Sequence, residues 1–308
     1  MAEKFAVLLL AHGTPDSLDE IPEYLSNVTG GRPMPETVIE EIRHRYSLIG
    51  SSPLTRLTLE QGRLLAAELD VPVYVGMRNW KPYIGDTVQR MIDDGISTAV
   101  VICLAPQNSR TSVGLYKRAV MAAAGEKLRI DFVEGWADHP LLAEAFAERL
   151  RPLWHNLCNE MGEQVPVLFT AHSVPQRTVE AHGDEPADPY AEEAKRTAQD
   201  VADCVPGLVN WRFAFQSQGM SGGPWIGPTV EDTLTTLHRE GHPAVIIDPI
   251  GFLCDHVEIL YDIDIAFREL GRNLGMRVER PRSLNSSPLL IAALADISRR
   301  RLALLASS

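Results

Sequence analysis

The sequence predicts an α/β protein of two similar halves, each a parallel sheet flanked by helices, facing a shared cleft. Three observations predict it. Short apolar runs alternate with longer segments of helical period along the whole chain. Gly and Pro fall at the ends of those runs, where breakers belong. One turn is also written twice: VLLLAHGTP at 7–15 and VLFTAHSVP at 167–175 each carry an apolar run into Ala-His, a small residue and Pro.

Taken in order, the runs at 5–10, 71–76, 98–104, 130–133, 165–169, 208–215 and 244–248 are apolar on both faces. That suits strands buried in a parallel sheet. Helical period covers 58–69, 81–94, 112–124, 141–161, 229–238 and 256–270, and the stretch 179–189 reads as an exposed loop. At the first copy of the turn, Thr14 is placed to cap a helix with Pro15 in its first position. At the second, Ser173 and Gln176 have capping-box spacing. The copies begin about 160 residues apart, which divides the chain into domains at 1–160 and 161–308, with the last helix free to pack back on the first.

Composition excludes several classes. The 308 residues are 45% hydrophobic and 23% charged, ordinary for a globular protein. A formal charge of −12 argues against nucleic-acid binding, which needs clustered Lys and Arg. Any anionic ligand must then be held by a local basic pocket. No apolar stretch approaches the roughly 20 residues of a membrane span, and the N-terminus lacks a secretory pattern. Cys103, Cys158, Cys204 and Cys254 are far apart with no C-x-x-C pair, so reduced thiols and a cytoplasmic location are expected.

The chemistry-bearing residues sit where such sheets bind ligands, at the carboxyl ends of strands. His12 and His172 close the two copies of the turn. One reading ties each imidazole to turn backbone, and the other faces both into a shared cleft. A third strand end carries GFLCDHVEILYDID at 251–264. Asp255 and Glu258 have the spacing of a capping box, but Asp262, four residues after Glu258, stacks a second carboxylate on the same face. Like charges there repel unless something binds them. Imidazole with carboxylate is a mixed N/O donor set that suits a divalent first-row ion.

Together with these residues, RYSLIGSSPL (45–54), GMRNWKPYI (76–84), LAPQNS (104–109), TAHSVPQ around His172, FQSQG (215–219), PWIGP (224–228) and LNSSP (284–288) resemble the ferrochelatases, in order along essentially the whole chain. The resemblance implies two Rossmann-like domains with a porphyrin cleft between them, and Fe²⁺ insertion into a porphyrin with release of two protons. His172 would act as metal ligand or proton acceptor and Glu258 as its anionic partner, with Asp262 continuing a carboxylate path. It also implies porphyrin contacts at Arg45, Tyr46, Ser52 and Tyr116, while Trp225 reads as core or hinge. Only about forty residues of mixed polarity separate Gly13 from Pro53, in place of a long apolar lip. That is similar to the soluble coproporphyrin ferrochelatases, whose substrate carries four propionates and whose product is coproheme.

Two departures stand out. His12 occupies a position where those relatives usually have tyrosine, so it is expected to ligate the product iron axially. Arg32 stands one or two residues later than the arginine common in relatives. No cysteine follows Cys254, so no iron–sulfur cluster and no other required cofactor are expected, with Fe²⁺ as substrate. The expected partners are porphyrin and ferrous iron, without nucleic acid or stable membrane insertion. A monomer making transient contacts with neighbouring haem-pathway enzymes is expected. The alternatives are a chelatase of the cobalt/sirohydrochlorin type and a non-catalytic haem carrier.

Overall fold

In the computed structural model, which describes residues 3–181, 183, 186–219 and 223–307, the run ending at His12 forms β1 (Phe5–Ala11). There follow α1 (Ile21–Thr29), α2 (Glu36–Ile49), α3 (Leu54–Glu68), β2 (Val73–Met77), α4 (Ile84–Asp93), β3 (Thr98–Cys103), α5 (Val113–Ala124), β4 (Arg129–Val133) and α6 (Pro140–Met161). The second half begins with β5 (Val167–His172), α7 (Tyr190–Asp203), β6 (Trp211–Gln216) and α8 (Val230–Arg239). It ends with β7 (Ala244–Asp248), α9 (Val257–Leu260), α10 (Arg268–Leu274), β8 (Arg277–Glu279) and α11 (Pro288–Ala306).

Both sheets are parallel, four-stranded and identically wound, in the orders β2-β1-β3-β4 and β6-β5-β7-β8. Each half lays its second strand on one side of its first and its third strand on the other. The connections therefore diverge above the carboxyl end of the first strand, which leaves a crevice there. The duplicated turn is the end of that strand in both halves.

Period-two alternation assigns the faces. Val7, Leu9 and Ala11 point into a core shared with α3, α6 and α11, and Val167, Phe169, Ala244 and Ile246 of the second sheet enter the same core. Ala6, Leu8 and Leu10 point the other way, onto Val88 and Met91 of α4 and Val113 and Val120 of α5. Leu168, Val245 and Ile247 meet Leu234 and Leu237 of α8. Full burial of each Val, Leu, Ile, Met or Phe among them is worth about 1.5–3 kcal/mol, so one continuous core holds the two crevices toward each other. The last helix, α11, packs on α3, α6 and β3.

Several sequence expectations are corrected. No helix starts at Pro15: Thr14 is buried, a short turn forms at Leu18–Glu20, and Glu20 Oε2 accepts the N–H groups of Asp16 and Ser17. Ser173 caps nothing either, because its Oγ donates to the Ile226 carbonyl at 2.8 Å. The segment expected as one helix over 256–270 is α9, a π-helical stretch at Asp262–Phe267, then α10. Asp255 is not its cap; it accepts from Arg280, Ser283 and Asn285. Within 179–189, Asp188 is buried and Asp188–Arg110 contacts anchor the end of the loop. Residues 182, 184 and 185 of that stretch lie outside the described residues. The helices α1, α2 and α7 and the strand β8 were not foreseen, and the last helix was expected without bounds. α7 has a clear apolar face, but Ala194, Ala198 and Ala202 fill half of it, and α11 is apolar all round over 288–295.

Candidate functional site

The crevices of the two sheets meet in a single cavity of about 390 Å³, walled by residues from both halves, within the usual range for a small-molecule site. His12 arrives on the end of β1. The small residue after it must be glycine: Gly13 has φ +78°, and a Cβ there would stand 2.8 Å from Trp80 Cβ. His172 arrives on the end of β5, and Glu258 arrives on α9.

His172 Nδ1–H donates to the Ser173 carbonyl, which turns Nε2 toward Glu258, 3.4 Å from Oε1. A second imidazole does the same from the other side. His256 Nδ1–H donates to the Cys254 carbonyl at 3.0 Å and its Nε2 stands 3.5 Å from Glu258 Oε2. Burial alone would lower the pKa of His172, but the Glu258 carboxylate and the Ser173 carbonyl outweigh it and hold the imidazole above its ordinary value. Burial likewise works to raise Glu258, yet the two imidazoles keep it well below the usual carboxylate range. Each partner therefore favours the charged form of the other.

The segment carrying Glu258 is held by the 215–219 motif. Thr170 Oγ1 donates to Gln216 Oε1 at 2.6 Å, and Gln216 Nε2 donates to the Glu258 carbonyl at 2.8 Å. Ser217 adopts φ +61°, a conformation that costs a non-glycine residue about 1–2 kcal/mol. In that conformation its hydroxyl donates to Asp262 Oδ2. Burial pushes the Asp262 carboxyl up to about 6, with the Ser217 hydroxyl opposing. Arg45 approaches the same carboxylate at 4.0 Å.

On the facing wall His12 is tied to side chains, not to backbone. Its Nε2 lies 3.0 Å from Tyr24 Oη, and Asn79 Nδ2 lies within 3.2 Å of both ring nitrogens. Burial, assisted by the Arg78 guanidinium, lowers its pKa to about 4, so this imidazole is neutral at working pH. The Arg78 guanidinium covers the Tyr116 ring at 5.6 Å.

The structure thus gathers His12, His172, Glu258 and Tyr116 at one cavity. It does not put Arg45, Tyr46 or Ser52 in that wall. Arg45 is half-exposed, bonded to Glu41 and placed over the Tyr261 ring at 5.1 Å. Tyr46 is buried beside Tyr24 and Trp80, and Ser52 Oγ is buried without a partner among the described residues. Arg32 is held by the Thr29 carbonyl at the end of α1. Trp225 is half-buried in the cavity wall, its ring against Gly219, where core or hinge was expected.

Sequence reasoning passed over His256, Arg78, Asn79 and Tyr24. His256 had a signal in the His-Val-Glu spacing, and Arg78 and Asn79 had one as polar residues just past a strand end. Tyr24 had none, because an aromatic on an amphipathic helix reads as core. Among the described residues, no three His, Cys, Asp or Glu side chains are arranged to hold one metal ion, and no helix is long and apolar enough to cross a membrane.

Comparison with known proteins shows the family. The family model described as Ferrochelatase matches residues 4–302. A ferrochelatase of Acidobacterium capsulatum is 66% identical over 308 residues, covering 97% of this chain and 95% of the relative. A coproporphyrin III ferrochelatase of Geobacillus kaustophilus is 35% identical over 314 residues, covering 98% and 97%. Among solved structures, the cobalt complex of the sirohydrochlorin chelatase from Bacillus subtilis subspecies spizizenii superimposes with a TM-score of 0.59 at 11% identity, covering 96% and 94%. That likeness speaks to the fold alone.

Proposed function

The chain belongs to the ferrochelatase family, whose members insert iron into a porphyrin, and from that premise we propose that it metallates coproporphyrin III with Fe²⁺ to give coproheme. The observation that carries the site assignment is the approach of His172 Nε2 to Glu258 Oε1 at 3.4 Å in the wall of a cavity shared by both halves. The choice of porphyrin is supported by relatives named for coproporphyrin III, at 35% and 34% identity over nearly the full chain.

In the proposed reaction Fe²⁺ displaces the proton held between His172 and Glu258, and the carboxylate compensates the dication. Two protein donors leave the remaining coordination positions to the four pyrrole nitrogens. Only two of those nitrogens carry protons: as iron passes from the pair to the macrocycle, one of these protons returns to the His172–Glu258 pair and the other passes through Asp262, one turn on, toward solvent, so with the proton first displaced two leave for each iron inserted. His12, neutral and on the opposite wall, ligates the product iron once its Nε2 releases Tyr24. Tyr116 meets the porphyrin edge in the wall, while Arg45, released from Glu41 at the rim, offers a guanidinium to a propionate. Fe²⁺ is substrate here, and no iron–sulfur cluster takes part.

The test is anaerobic incubation with Fe²⁺ and either coproporphyrin III or protoporphyrin IX, followed by the porphyrin bands. The expected result is a kcat/KM at least about tenfold higher for coproporphyrin III, abolished in His172→Ala. Preference for protoporphyrin IX refutes the substrate, and an active His172→Ala refutes the site.

A further inference from the structure

The ladder between β5 and β7 ends at Phe169, while His172 still pairs with Gln216 on β6. The carbonyl of His172 is instead taken by the phenol of Tyr190, whose Oη donates to it at 2.9 Å. Tyr190 is the first residue of α7, buried against Ala171, Ala194 and Phe215. Its own N–H donates to Asp188 Oδ1 at 3.0 Å. The other oxygen of Asp188 accepts the Arg110 N–H at 2.7 Å, with Arg110 Nε at 3.5 Å. The same guanidinium reaches the carbonyls of Pro186 at 2.8 Å and Glu180 at 3.3 Å.

Arg110 belongs to the opposite half. It lies in the connection from β3 to α5, which also supplies Gln107, Ser109 and Ser112 to the cavity wall. Two further bonds fasten that connection to α7: Asn108 N–H to Glu193 Oε2 at 2.6 Å, and Gln107 Nε2 to Thr197 Oγ1 at 3.2 Å.

We propose that Tyr190 is a positioning residue for His172, and that the Arg110–Asp188 clasp acts through it, so that the cavity wall of the first half sets the placement of the imidazole in the second. This rests on the reading of His172 as the metal-facing imidazole. The clasp ties the connection that lines the cavity to α7: a tetrapyrrole seated against that wall bears on the element whose first residue holds the backbone of His172. Positioning of this kind is felt in turnover rather than in binding, because a displacement of about 1 Å at a reacting group can cost on the order of 10²-fold.

Tyr190→Phe keeps the ring packing and removes only the hydroxyl. The expected result is a kcat lowered about tenfold with the porphyrin KM within about twofold of wild type. Asp188→Ala, or the milder Arg110→Ala should Asp188→Ala not fold, lowers kcat in the same way. Combined with Tyr190→Phe, either gives no further loss, since both act through one bond. An unchanged kcat in Tyr190→Phe, a loss confined to KM, or losses that multiply in the double variant would each overturn the proposal. His172→Ala is measured alongside. If it is inactive while Tyr190→Phe is unaffected, only the positioning role fails. If it is fully active, the site assignment fails and the positioning role with it.

Discussion

Replacing Asp248 with asparagine should stabilise the protein by an amount that grows with pH. Asp248 ends β7, is 1% exposed, and its Oδ2 has no hydrogen-bond partner among the described residues. Burial pushes its carboxyl up to about 8, opposed by Arg280, whose guanidinium is engaged by Asp255 and Asp264. An acid whose folded pKa exceeds its unfolded value of about 3.9 releases a proton on unfolding at any pH between the two. Stability is then fully present below about pH 4 and lost progressively as pH rises toward 8. The slope is about 1.4 kcal/mol per pH unit, or about 3 kcal/mol between pH 5 and pH 7. Asparagine carries no such proton, and any fixed cost of its amide cancels between the two pH values. Urea unfolding of wild type and Asp248→Asn at pH 5 and pH 7 should therefore show their stability difference moving by about 3 kcal/mol in favour of the variant. A difference that stays constant would mean that the native carboxyl is already ionised, and would refute the reasoning.

Three further outcomes follow from the site. Because the proton on His172 is held above its ordinary pKa of 6.5, kcat/KM for Fe²⁺ should rise with pH through that higher value. Glu258→Gln should move the acid limb to lower pH in a pH–rate profile, since the carboxylate that most favours the protonated imidazole is then gone. Gly251→Ala would place a Cβ 2.7 Å from Ala171 Cβ and 2.8 Å from its Cα, against strand backbone that has no room to yield. The variant should lose about 1–3 kcal/mol in thermal unfolding and most of its activity, as the end of β5 shifts. The absorption spectrum of bound coproheme should change its ligand field in His12→Tyr. In wild type, axial nitrogen ligation should persist to near pH 4, where His12 gains its proton. An identical spectrum in both proteins would remove His12 from the iron.

Much of the site was legible because parallel sheets bind ligands at one place, the carboxyl ends of their strands, and a strand end can be read from where an apolar run stops. His12 and His172 were marked that way. Glu258 was marked by the improbability of two stacked carboxylates without a partner. Arg45, Tyr46 and Ser52 were named from resemblance, and only geometry shows that none of them lines the cavity as it stands. His256 was hidden by the expectation of one regular helix over 256–270. The break into α9 and a π-helical stretch instead leaves His256 and Glu258 together in the cavity wall.

The sequence by itself determined the fold class, the repeated unit and the positions of the two imidazoles, because each follows from local periodicity and breakers that neighbours along the chain enforce. Tertiary structure alone decided that the two crevices open onto one cavity, that Glu258 lies between two imidazoles, and that Tyr190 holds the carbonyl of His172. Those facts depend on contacts across 86 residues between His172 and Glu258 and 78 between Arg110 and Asp188. Such pairings are set by how α6, α7 and α11 fill one core, and no local pattern along the chain records them.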